Sequence, residues 1–459
     1  MKKQTSLDPD NIAALQKQFF HSLTLGTGRT MLLMKAYPAV DFSKELIAAA
    51  TKNLANDPQC EGSRADYLFR LIKRSKQKDL IANVVLQKLK ARKRGVNDLS
   101  QLCDLAVLLY KDGIVRAKEV LIQRFEKSFH ADFDACGEFQ VLQLEGLQGL
   151  FRMAEHIGKL PPDERENWEN RWLVENFQEE NKSLNVFSEL SEAAKNNPFI
   201  QNYLELIGDS KPLTSSPRIK MSPYTVNEVE EIIHNQRPRA FFNHARIQKM
   251  TVAEIEQVAR NFLETRDDAK KFKYLRFFYA TEFPFSYAPL LKIARGKIDF
   301  QTRAVQNAVL ALSNLNGADI RALALKKFTT VRIPWVYLQL LVSNYQPGDV
   351  DMLLEIMGRS KNADELHLFA SELIAIYEAN PGTDCKAPLE LMYHNMNCAL
   401  HRRELVELLF ENGVLSDEIL PELAYDSEDR IRKFYRYVQR DRARLKATIM
   451  SDNLRSSPK

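Results

Sequence analysis

Apolar residues recur along most of the chain at the three- and four-residue intervals that place one stripe on a helix. In residues 301–313, Ala304, Val305, Ala308, Val309 and Leu312 share a face; Asn316-Gly317 interrupts, and Ile320, Leu323, Ala324 and Phe328 form the next stripe. Leu353, Leu354 and Met357 follow, then Leu366, Phe369, Ala370, Leu373, Ile376 and Tyr377, then Leu405, Leu408 and Leu409 as far as Asn412-Gly413. Gly413 can take positive φ and so end a helix there. Pro347-Gly348 and Pro381-Gly382 punctuate the intervening stretches. Helices of about 10–16 residues joined by loops of about 2–6 lie antiparallel to their neighbours. Each carries one apolar stripe, which is buried by stacking on the next pair, so the pattern predicts an α-solenoid.

The first half is helical by the same signal but less regular. Leu68, Leu71 and Ile72 lead into Leu80, Ile81, Val84, Val85 and Leu89, and further stripes centre on Leu102–Leu109, Val120–Phe125 and Leu142–Phe151. Between the halves, residues 209–224 hold three prolines and four serines without helical period, which reads as a linker or long surface loop. Thr225 and Glu228, and again Thr251 and Glu254, have the three-residue spacing of a capping box and predict helix starts directly after them.

Composition narrows the class. Only 16 of 459 residues are glycine, roughly half the usual share, which disfavours sheet-rich folds with their tight turns and bulges. The first eleven residues have no apolar signal core, and no apolar run nears the roughly 20 residues that span a bilayer. The five cysteines, Cys60, Cys103, Cys136, Cys385 and Cys398, are odd in number and widely spaced, which suits reduced thiols in a cytoplasmic protein. The expectation is a soluble cytoplasmic chain with no membrane partner. A net charge of +5 does not by itself demand a nucleic-acid partner.

Residues 299–328 resemble a HEAT repeat pair: Asp299 is followed by Arg303 in one helix, and Asp319 by Arg321 at the start of the next. Residues 424–438 resemble the first helix of another unit, with Asp426 and Arg432. The resemblance spans 285–440, and 225–284 loosely, and the whole chain is similar to bacterial HEAT-repeat proteins. It implies an armadillo-like superhelix of antiparallel pairs with aspartate–arginine ladders between successive turns; it marks an architecture, not an activity. The expected organisation is an irregular helical domain at 1–208, the linker at 209–224, HEAT-like repeats at 225–445 and a polar tail at 446–459.

Several constellations invite a chemical reading, and each has a plainer one. Cys60, Glu61, Ser63, Arg64, Asp66 and Tyr67 crowd one helix start, where a cysteine can have a lowered pKa and Arg64 can face a partner; equally, Ser63 is a cap and Arg64 an ion-pair partner for Glu61 or Asp66. Gly26-Thr27-Gly28-Arg29-Thr30 lacks the spacing of a phosphate loop and reads as an inter-helix loop. His394, Cys398 and His401 fall at i, i+4 and i+7 and offer soft ligands, but packing and solvent contact explain them more simply, so no metal and no cofactor is expected. Residues 70–94 contain ten lysines and arginines against one acid, Asp79. Arg432, Arg436, Arg440 and Arg444 recur every four residues as a basic ridge. The ridge suits phosphate tracking, or merely a solvated face.

No residue set calls for catalysis. The expected function is non-enzymatic binding or scaffolding of a macromolecule, a protein in the first instance, with Arg64, Arg432, Arg436, Arg440 and Arg444 as the candidate surface and no small-molecule substrate. The alternative is nucleic-acid binding, extending to a DNA repair glycosylase of the HEAT-like kind, which would use tryptophans such as Trp168, Trp172 and Trp335.

Overall fold

The computed structural model describes residues 8–455, apart from 56, 58–60, 62–63, 131, 166–167, 169–170, 209–221, 236–239, 300–302, 332–333 and 361–362, and describes side chains as far as residue 443. The chain is all-α: 70% is helical, and the described residues form 27 α-helices and no strand. Most of the linker, and Cys60 and Ser63, lie outside the described residues.

The chain divides into two compact units, and the division does not follow chain order. The first comprises Met1–Ser215, Asn397–Ala399 and Asp417–Lys459; the second comprises Ser216–Met396 and Leu400–Ser416. Helix Val96–Lys111 is the hub of the first unit. It buries Leu99, Leu102, Cys103, Leu105, Ala106 and Leu109, which includes Leu102, Leu105 and Leu109 of the stripe that the sequence places there, while Leu108 is half-buried. Helices Ser43–Thr51, Ala65–Arg74, Lys78–Leu89, Arg116–Lys127 and Glu138–Glu145 pack around it. Farther on, helix Leu147–Gly158 lies so close to helix Pro198–Gly208 that a Cβ at Gly158 would stand 1.7 Å from the Phe199 carbonyl oxygen. Residues 446–459, read from sequence as a tail, are helical as far as Arg455, at the end of the long helix Asp429–Arg455.

The second unit begins as its caps predict. Thr225 and Thr251 each accept the amide hydrogen three residues on while Glu228 and Glu254 reach back, opening helices Val226–His234 and Val252–Glu264. Each such cap contributes about 1 kcal/mol. Helix Ala399–Glu411 ends, as expected, ahead of Gly413 at φ 70°. The first helix of the 299–328 pair runs Ala304–Leu312 and the second Ala318–Thr330.

From there most helices pack on a helix one or two places away in the chain, and several asparagine side chains bond backbone groups of preceding segments. Asn344 donates to the Leu315 and Leu340 carbonyls and accepts from the Gly317 amide. Asn412 accepts from the Gly382 amide while donating to Leu408. Asn380 donates to Val342 and Ile376, and Asn314 to Phe278 and Tyr279. The longer of these bonds reach back 27 residues at Gly317–Asn344 and 38 at Asn380–Val342. They satisfy carbonyls near helix ends that would otherwise be left open. Arg321 makes a two-pronged bond to the Asp349 carboxylate, at 2.7 and 2.6 Å, at the start of a later helix.

Candidate functional site

The basic ridge stands on helix Asp429–Arg455 in the first unit. Arg436 and Arg440 are exposed. Arg432 is turned to its own chain: it donates to the carbonyls of Asp426 and Ser427 at 2.7 and 2.8 Å and pairs with Asp429 at 3.2 Å. The Asp429 carboxyl is held below its ordinary range, chiefly by its bond to Lys433, with Arg432 and Arg436 adding to the effect. The Arg444 side chain lies outside the described residues. Tyr437 is 51% exposed and stacks with Phe434 on the same helix. The described outward face therefore combines two arginines with an aromatic ring.

Arg64 has a different place. It is 3% exposed, and its guanidinium bonds the Thr24 carbonyl at 2.7 Å, those of Leu23, Leu25 and Asn397 at longer range, and Glu61 at 3.4 Å. It satisfies the carbonyls left open where helix Pro9–Leu25 ends. It thus anchors a helix end and does not belong to an exposed surface, which corrects the grouping with the ridge; the charge pattern alone did not show its burial.

The glycine loop is likewise occupied by the protein itself. Gly26 caps the preceding helix at φ 78°, and its carbonyl accepts from the Ser427 amide at 2.8 Å. A Cβ at Gly28 would stand 1.9 Å from the Glu422 carbonyl oxygen. Thr30 bonds the Thr27 carbonyl and the Tyr67 hydroxyl. These glycines permit close approach of backbone, which is what the inter-helix reading requires.

In the basic stretch 70–94, four of the ten cations have an acid within 4.0 Å. Lys73 pairs with Asp112, Arg92 with Asp132, Lys93 with Asp134 and Arg94 with Asp98. Among the tryptophans, Trp168 tilts against Phe129 and Trp335 against Phe369. Trp172 differs: it is 39% exposed and contacts Phe139, itself 46% exposed, with ring centroids 5.1 Å apart. This pair was not legible from residue spacing, because Phe139 and Trp172 stand on helices separated by two others.

In the second unit the structure brings His401 to His367, not to His394. The two rings are 4.5 Å apart at 76°, with ligand nitrogens within 4.8 Å. His401 Nε2 lies 2.9 Å from the Ser371 hydroxyl, and its Nδ1 is buried without a hydrogen-bond partner. Burial, then His367, pushes the His401 imidazole down to about 4. It is therefore neutral at pH 7, the form that ligates a metal such as zinc. Cys398, three residues before His401 in the chain, is buried; His394 packs on Tyr393. Glu372, beside Ser371, is raised to about 7 by burial, even though Gln339 donates to it.

No described helix is long and apolar enough to cross a membrane. Comparison with protein-family models, with curated proteins and with solved structures finds no match for this chain.

Proposed function

We propose that this chain is a non-enzymatic binding or scaffold protein, its second unit a HEAT-like α-solenoid, and that its partner is a protein. The near-neighbour helix packing and the recurring asparagine bonds support the solenoid reading, since a repeat array needs a device that joins each layer to the last. The observation that carries the binding reading is the exposed Phe139–Trp172 pair. Aromatic side chains dominate the energetics of protein interfaces, and two large rings left in water, already packed on each other, form a pre-organised anchor.

A second reading rests on helix Asp429–Arg455. Exposed Arg436, Arg440 and Tyr437 combine phosphate-seeking charge with a stacking surface, which favours nucleic acid. Affinity capture from the native host, with and without nuclease, separates the two. The protein reading requires a stoichiometric partner that survives nuclease and is lost from a Phe139→Ala/Trp172→Ala variant. Capture that depends on nucleic acid and is lost from Arg436→Ala/Arg440→Ala overturns it in favour of the second.

A further inference from the structure

Helix Ala363–Ala379 carries His367 and Ser371 four residues apart, so one helical turn sets the two side chains on the same face. His401 stands in the first turn of helix Ala399–Glu411 and meets both. Its ring is 4.5 Å from that of His367, at 76°, and its Nε2 lies 2.9 Å from the Ser371 hydroxyl. All three residues belong to the second unit. Both histidines are half-buried, so the pair is backed by protein and still reachable by an ion from solvent.

The two nitrogens of His401 have unequal surroundings. Nε2 has Ser371, whereas Nδ1 is buried and no described residue offers it a hydrogen bond. A neutral imidazole carries one hydrogen and one lone pair. With the hydrogen on Nε2 and donated to Ser371, Nδ1 keeps a lone pair that no protein donor meets. With the hydrogen on Nδ1, a buried N–H is left without an acceptor. Either way one polar atom is unmatched, which a bound water or ion commonly accounts for. The second imidazole favours an ion over a water, because one ligand nitrogen of each ring lies within 4.8 Å of the other. Bonds of about 2.0 Å to a tetrahedral ion set two nitrogens about 3.3 Å apart, so a modest turn of the half-buried His367 ring closes the gap. Burial, then His367, keeps the His401 ring neutral at pH 7, and no proton has to be displaced.

We propose that His367 and His401 bind a divalent transition-metal ion, zinc in the first instance, with His401 Nδ1 as one ligand and Ser371 as the residue that positions its ring. The hydrogen bond from Nε2 to the Ser371 hydroxyl fixes the tautomer and aims the Nδ1 lone pair, as the outer partners of metal-bound histidines do. Paired imidazoles suit zinc, nickel and copper, and do not suit the oxygen-seeking calcium and magnesium. The set differs from the His394, Cys398 and His401 spacing that the sequence offers, since His394 packs on Tyr393 and the fold supplies a histidine from another helix in its stead. The ion would tie helix Ala363–Ala379 to the start of helix Ala399–Glu411 and leave coordination positions for ligands from outside the pair.

The test uses the full chain, stripped of metal by a chelator, dialysed and titrated with zinc chloride by calorimetry at pH 7 with a non-thiol reductant. The expected result is one-to-one binding, weakened about tenfold or more in His367→Ala and in His401→Ala and unchanged in His394→Ala. Ser371→Ala keeps both ligands and should weaken binding about 10–100-fold, a loss that a serine with no part in orienting His401 would not produce. In the nitrogen-15-labelled unaltered chain, zinc should shift the His401 Nδ1 resonance and leave Nε2 protonated. The proposal is overturned if no zinc binds, if binding survives either ligand replacement, if His401 binds through Nε2, or if zinc shifts His394 and not His367. The resonances of the unaltered chain decide this even if a variant fails to fold.

Discussion

Replacing Glu372 by glutamine should stabilise the second unit at alkaline pH and leave it nearly unchanged at pH 4.5. Burial raises this carboxyl from an ordinary 4.5 to about 7, so the folded chain keeps a proton that the unfolded chain releases. Between pH 4.5 and 7 the folded state therefore binds more protons, and stability falls as pH rises through that window, levelling off above it. Each tenfold change in proton affinity corresponds to about 1.4 kcal/mol. The full penalty once Glu372 is ionised is then ~3 kcal/mol, trimmed to ~2 kcal/mol because water reaches part of the side chain. The amide in Glu372→Gln has no charge to desolvate and can still accept from Gln339, the neighbour that donates to the carboxylate. The assay is urea denaturation at pH 4.5 and pH 8, with peptide-level hydrogen exchange on helix Ala363–Ala379 to isolate the local response. The expected gain is ~2 kcal/mol at pH 8 and close to zero at pH 4.5. An equal loss at both pH values would refute the reasoning, since it would mean that Glu372 is ionised and useful as an acceptor throughout.

Other consequences are equally direct. Gly158→Ala sets a methyl group 1.7 Å from the Phe199 carbonyl oxygen; overpacking outweighs the better helix propensity, for a net loss of ~2 kcal/mol and a melting point about 4–8 °C lower by calorimetry. Asn344→Ala leaves the Gly317 amide and the Leu315 carbonyl without their partner, so hydrogen exchange should quicken around Gly317, by ~1–3 kcal/mol in opening energy, and not around Gly382. His401, lowered to about 4, binds protons more weakly in the folded than in the unfolded chain; its contribution to stability is lost as pH falls from about 6.5 to about 4, and its ring resonances should titrate near pH 4, a prediction that fails if they move near 6.5. If nucleic acid is the partner, Arg436→Ala/Arg440→Ala should lower the slope of log affinity against log salt by about 2, whereas an unchanged slope places phosphate elsewhere.

The features legible in the sequence are those written over a few residues. Both capping boxes are three-residue devices, so Thr225–Glu228 and Thr251–Glu254 were readable with no knowledge of the rest of the chain. The apolar stripes, such as Leu102 to Leu109, follow from helical period alone. The side-chain chemistry was mostly hidden because it depends on which helix lies opposite. His401 meets His367 from another helix and not His394 from its own neighbourhood. The asparagines at 314, 344, 380 and 412 recur about once per helix pair, a signal present in the sequence but invisible until their bonds showed what they share.

The arginines show why charge along a chain is a poor measure of the field it presents. Arg64 and Arg124 are both buried, each holding several carbonyl oxygens at helix ends and loop turns. A planar guanidinium with five donors can gather such scattered acceptors where an ammonium could not. In these positions the positive charge serves folding. Lys73, Lys93 and Arg94 are paired with Asp112, Asp134 and Asp98. What remains turned outward on the described part of helix Asp429–Arg455 is a short face around Arg436 and Arg440, flanked by Tyr437. A field of that extent steers a partner over roughly one Debye length, about 8 Å at physiological salt, and does not hold it. Lasting affinity has to come from desolvated surface, which is why the proposal of a protein partner rests on the Phe139–Trp172 pair and not on the ridge.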